Sequence, residues 1–171
     1  MTFNTSSDEI VRKKTAGVFI LFTVLPLFNL FHSSDKWIWY LGFFLFFMLI
    51  LLYTYLHRPT QYQVDNSKLL IRRPIGNIVI NIQDIARVDR IHNDLLKSSS
   101  KGGAFGYFGK FDTDLGIIRF CATRRDNLVM LTKHDKTKII LTPDQGDEFI
   151  KDVEMHASSQ QKYLQKQGLT M

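Results

Sequence analysis

Uncharged apolar residues fill two stretches near the start of the chain and then give way to mixed sequence. Ala16–Phe31 (AGVFILFTVLPLFNLF) holds 16 residues without a charge, and Trp37–Leu56 (WIWYLGFFLFFMLILLYTYL) holds 20. As helices these reach about 24 Å and about 30 Å, the second matching the hydrocarbon thickness of a bilayer. Lys14 extends the first by snorkelling outward. Pro26 and Asn29 are tolerated in a membrane helix that packs on a neighbour. With only HSSDK between the two stretches, they predict a tight antiparallel hairpin over 15–57, with helices at about 15–32 and 37–56. The basic start Arg12-Lys13-Lys14 resembles that of a cleaved leader, but no small-x-small site follows and a second span comes almost at once. Residues 1–14 are set apart as a cytoplasmic N-terminal tail.

After Pro59 the pattern changes to short β-like runs. QYQVD alternates and ends in the turn cluster Asp65-Asn66-Ser67. KLLIRR follows, then NIVINI with Ile78, Ile80 and Ile82 on one face. IARVDRIH, GIIRFCAT, NLVMLT and KIILT complete about seven strands. The period then becomes helical. Thr142 stands as an N-cap with Pro143 at the first helical position, and Phe149, Ile150 and Val153 fall on one face. The predicted amphipathic helix runs from Pro143 to about His156, closing a domain over 58–156 and leaving a polar tail at 157–171.

Charge sets the orientation. Of the formal net charge of +6, the 18 Lys/Arg against 13 Asp/Glu in residues 57–171 supply +5. That balance favours anionic neighbours such as acidic lipid, and is too dilute to indicate nucleic acid. Arg12, Lys13 and Lys14 precede the first helix, and Arg58, Lys68, Arg72 and Arg73 follow the second. The connecting loop offers only Lys36, offset by Asp35. The positive-inside rule therefore puts both termini in the cytoplasm, with aromatic belts at Trp37, Trp39 and Tyr40 on the far side and Tyr53 and Tyr55 on the near side. The lone Cys121 excludes an internal disulfide and reads as a small buried hydrophobe.

Short strands followed by one C-terminal helix fit a curled, nearly closed antiparallel sheet plugged by that helix. LLIRRPIGNIVINIQDIARV (Leu69–Val88), GGAFGYFGKF (Gly102–Phe111), LGIIRFCATRRDNLVMLT (Leu115–Thr132) and KIILTPDQGDEFIKDV (Lys138–Val153) resemble bacterial pleckstrin-homology (PH) domain proteins with an N-terminal membrane hairpin. The resemblance implies two transmembrane helices and an all-β PH-like barrel or sandwich capped by a C-terminal helix. It also implies the cell (inner) membrane as the location. Eukaryotic PH domains often bind phosphoinositides through basic residues between their first two strands. Here that loop is DNSK (Asp65–Lys68), with one lysine beside an aspartate, so that role is not carried over.

The most unusual stretch is KGGAFGYFGKF, Lys101–Phe111. It fails as a phosphate cradle: Phe111 stands where a P-loop needs Ser or Thr, Ala104 where it needs glycine, and no helix signal follows. Two readings stay open. In one, Gly103, Gly106 and Gly109 permit bends while Phe105, Phe108 and Phe111 pack on the β core or on a second subunit. In the other, Phe105, Tyr107 and Phe108 enter the headgroup region while Lys97, Lys101 and Lys110 meet anionic lipid. Arg124 and Arg125, beside Asp126 and Asn127, suit a solvated hairpin turn or an anion contact.

No nucleophile, base with an orienting partner, metal-spaced cluster or cofactor motif stands out, and Asp112 and Asp114 read as a solvated turn. The spans hold no ionisable residue to mark a transport path. The expected function is a membrane-anchored, non-catalytic interaction or self-assembly module, with a protein partner or homo-oligomer contact. The alternative is a sensor of anionic lipid using Lys97, Lys101, Lys110, Arg124 and Arg125.

Overall fold

The computed structural model describes residues 1–32, 37–91, 105–113 and 116–166. Helix α1 (Glu9–His32) starts before its apolar segment, because Asp8 caps it. Asp8 Oδ1 accepts the Val11 amide at 2.6 Å, and Glu9 in the first turn suits the helix dipole. Helix α2 (Trp37–Leu56) has the expected bounds. The two helices pack side by side, with Phe22 stacked on Phe47 at 3.9 Å between ring centroids. Among the described residues, α2 is the one helix long and apolar enough to cross a membrane. The charged first turns of α1 and its interior Pro26 distinguish it from α2.

The β domain is a sandwich of two sheets rather than a closed barrel. One sheet runs β1 (Thr2–Asn4), β2 (Gln61–Val64), β3 (Lys68–Arg72), β4 (Ile78–Asn81), antiparallel throughout. The other is ordered β5 (Ile85–Ile91), β8 (Leu128–Lys133), β9 (Lys138–Leu141), β7 (Gly116–Ala122), β6 (Tyr107–Thr113). Its β7–β9 pair is parallel and the others are antiparallel. A 3₁₀ turn at Ile82–Asp84 carries the chain from one sheet to the other.

Two of these strands lie outside the seven expected. β1 comes from the segment expected to be a free tail, where three residues are too few to show a period. β6 comes from the glycine–aromatic stretch, whose glycines mask its alternation. The C-terminal helix α3 (Gly146–Lys166) begins later and ends later than expected. Thr142 does not cap it, because its hydroxyl accepts the Thr123 amide at 3.0 Å. Ala157 packs on the core and Gln160 Nε2 donates to the Asn66 carbonyl at 2.9 Å, which ties down part of the expected tail.

The core between the sheets joins Tyr62, Leu69, Ile71, Ile82, Val129 and Leu131 to Phe149 and Val153 of α3. Tyr62 links the layers: its hydroxyl donates to the Cys121 carbonyl at 2.6 Å and accepts the Thr142 amide at 3.2 Å. Burial pushes the Tyr62 pKa upward, so the phenol stays neutral as a donor. A second cluster of Tyr107, Ile118, Phe120, Leu128 and Ile140 lies on the other face of the five-stranded sheet, covered by Val11 of α1. Both faces of β7 are therefore partly buried, which explains its near-continuous apolar run.

Candidate functional site

The junction between the helix pair and the β domain is built from short polar ties. The turn after β3 docks on the end of α2, where the Ile75 amide donates to the Leu56 carbonyl at 3.1 Å. That carbonyl is among those a helix C-terminus leaves without an internal partner. The Thr5 hydroxyl reaches the Pro59 and Thr60 carbonyls, each at 3.2 Å. His57 Nδ1 lies 2.9 Å from the Tyr53 carbonyl, so that nitrogen carries the proton.

The glycine–aromatic stretch supplies the next tie. Phe105 takes a positive φ of 66°, donates its amide to Thr15 Oγ1 of α1 at 2.9 Å, and sets its ring edge-on to Tyr55 of α2. Gly106 has φ 142°, and a Cβ there would stand 2.7 Å from the Ala122 carbonyl oxygen and from the Phe108 ring. Only glycine fits. Tyr107 is buried, with the Arg125 guanidinium 5.4 Å from its ring centroid and Arg125 Nε donating to its hydroxyl. Gly109 has φ 116° and open space at its Cβ position, so backbone conformation explains it.

Arg124 is not a solvated turn residue. Its guanidinium donates to both Asp126 oxygens, to Asp144 Oδ1 at 3.0 Å and to Ser6 Oγ at 3.0 Å. The hydrogen bond from Arg124 holds the Asp126 carboxyl below its usual range, and the same bond raises Arg124. Asp8 Oδ2 accepts the Arg125 amide at 3.0 Å, so the cap of α1 also clasps this turn. Arg124 and Arg125 are thus occupied within the protein.

A different group of cations has no ion pair among the described residues. A cavity of about 260 Å³ lies between the last turn of α2 and strands β6 and β7. Tyr53, His57, Arg73, Phe108, Arg119 and Cys121 line it, and none of its described lining residues is acidic. Arg73 Nε is buried without a hydrogen-bond partner. The β6–β7 register sets Lys110 directly opposite Arg119, both exposed. Alternation along each strand puts that pair on the same face as Phe108 and Cys121. Burial pushes the Cys121 thiol up, opposed by the nearby Arg119 and Arg73 charges, so it is a poor nucleophile.

Of the residues singled out from sequence, Phe105, Gly106, Tyr107, Arg124 and Arg125 build the junction. Phe108, Gly109 and Lys110 belong to or adjoin the cavity. Lys97, Lys101 and Gly103 lie outside the described residues. Arg73 and Arg119 were missed as site residues. The available signal was Arg119, a lone charge inside the apolar run GIIRFCA.

This sandwich, with its C-terminal helix, agrees with the family comparison: the bacterial PH domain family matches residues 60–157, more than half of the chain. The chain belongs to that family. PH domains commonly bind lipids or proteins, so the domain is an interaction or lipid-binding module by class. No curated protein and no solved structure matches the chain at a significant level.

Proposed function

We propose that the protein is a membrane-anchored, non-catalytic PH-like module that works at the cytoplasmic bilayer surface by contact with anionic lipid. In this reading α1 and α2 both cross the membrane as a hairpin, leaving both termini in the cytoplasm. The exposed apolar side chains of α2, such as Ile38, Phe46 and Leu49, then face lipid. The cations at Arg12–Lys14 and Arg58–Arg73 fall on one side.

The observation that carries the reading is the internal use of Phe105 and Tyr107. Their contacts hold the β domain against the hairpin. They leave Arg73 and Arg119 beside the last turn of α2, with Lys110 opposite Arg119 in the ladder. Basic residues held there meet an anionic headgroup layer, at roughly 1 kcal/mol each.

A second reading, self-association or a protein partner, rests on β6 being an edge strand of its sheet. Limited proteolysis of the full chain in neutral and anionic vesicles tests the proposal. The β domain should be cut more slowly on anionic vesicles, and the difference should fade as salt rises. Equal cutting on both, with a stable oligomer in detergent, would favour the second reading. Release of the chain by alkaline carbonate would remove the membrane anchor altogether.

A further inference from the structure

The cavity at the end of α2 has features that a general basic surface lacks. It is enclosed by elements from three parts of the chain: the last turn of α2, the turn after β3, and the β6–β7 pair. Its volume of about 260 Å³ far exceeds the roughly 30 Å³ that one water occupies in the liquid. A polyatomic group can therefore enter.

The chemistry of the walls is asymmetric. Arg73 and Arg119 contribute guanidinium groups whose planar forks match two phosphate oxygens at once. Arg73 Nε has no partner among the described residues although it is buried, which leaves a donor without its hydrogen bond. Across the β6–β7 ladder, Lys110 faces Arg119, a like-charged pair that destabilises a sheet unless an anion stands nearby. No lining residue among those described is acidic, so the described walls offer no counter-ion there. Beside Thr54 and His57, much of the remaining wall is apolar or aromatic: Tyr53, Ile78, Phe108 and Phe120. A free phosphate ion would gain nothing from these apolar side chains, whereas the first acyl carbons of a lipid would.

We propose that this cavity binds the phosphate of one anionic phospholipid headgroup, with Arg73 and Arg119 as its principal donors. The proposal rests on the reading of α2 as a membrane span, which brings its last turn to headgroup depth. The residues are separate from the Asp65–Ser67 turn between β2 and β3, whose Asn66 carbonyl is engaged by Gln160 of α3. Because the site is part of the junction, an occupying headgroup would bridge α2 to the β domain and stiffen their join.

The test is native mass spectrometry of the full chain in nonionic detergent, titrated with phosphatidylglycerol, phosphatidylcholine or inorganic phosphate. The expected result is one retained phosphatidylglycerol and no comparable retention of phosphatidylcholine. Arg119→Gln and Arg73→Gln should each weaken retention roughly tenfold. Lys151→Gln, an exposed charge on α3, should leave it unchanged. Arg119 is itself exposed, so its substitution reports on binding without burdening the fold.

Equal retention of the two lipids would overturn the proposal. So would unchanged retention in Arg119→Gln. If anionic vesicles still slowed proteolysis of that variant, the surface reading would stand and only the cavity assignment would fall. Displacement of the lipid by inorganic phosphate, bound as one ion per chain, would assign the cavity to free phosphate and overturn the lipid assignment.

Discussion

Strand β7 and the turn after it carry arginines in opposite circumstances. Beyond its C-terminal end, Arg124 and Arg125 are surrounded by Asp126, Asp144, Asp8 and the Tyr107 ring. In the middle of the strand, Arg119 faces Lys110 and shares a cavity with Arg73 and His57, with no acidic residue among its described lining. The first group holds the N-terminal segment and α1 to the domain. The second has no acidic partner among the described residues, and it is the group proposed to meet lipid. Basic residues alike in sequence thus separate into a paired group and, among the described residues, an unpaired one.

The sharpest way to break the fastened side is Gly106→Ala. The new Cβ would meet a backbone oxygen at 2.7 Å. It would also have to hold a positive φ. A loss of about 3 kcal/mol is expected from strain and overpacking, seen as a lower thermal midpoint of the full chain in detergent. Arg124→Ala comes next. It removes charge-assisted bonds to Asp126 and Asp144 from a partly buried guanidinium, and about 2 kcal/mol should be lost.

A pH series sharpens the comparison further. The hydrogen bond from Arg124 holds the Asp126 carboxyl below the ordinary carboxylate value of 3.8. A lowered carboxylate contributes stability that is fully present above the unfolded value and disappears as pH falls through the folded one. The stability gap between the natural chain and Asp126→Asn should therefore be constant above about pH 5. It should close as pH drops below 3.8. A gap that persists in strong acid would show that the hydrogen bond does not depend on the charge. The smallest effect belongs to the second group. Arg119→Gln should not destabilise the lipid-free chain, and relief of the Lys110 repulsion should add about 0.3 kcal/mol.

Much of the domain was legible because its strands alternate and its helix changes period. The run of Ile78 and Ile80 and the spacing of Phe149 and Val153 reveal the burying face directly. The second apolar segment gave the bounds of α2 because nothing in it is charged. Other features depend on distant partners. Phe3 joins the core through a three-residue strand that no periodicity could disclose. Thr142 resembled a cap locally, but Thr123 claims its hydroxyl across the sheet. The site was the least legible part. Lys110 stood out in the glycine–aromatic stretch, whereas Arg73 and Arg119 become its neighbours only through the β3 turn and the β6–β7 register.

The central claim is that the cations beside α2 face anionic headgroups. Hydrogen exchange of the full chain in nanodiscs, neutral against anionic, tests it most directly. Slower exchange at Tyr107–Ala122 and at the turn after β3, confined to anionic discs and abolished in Arg119→Gln, is the predicted result. Identical exchange in both discs, or slowing confined to the Asp65–Ser67 turn, would contradict it.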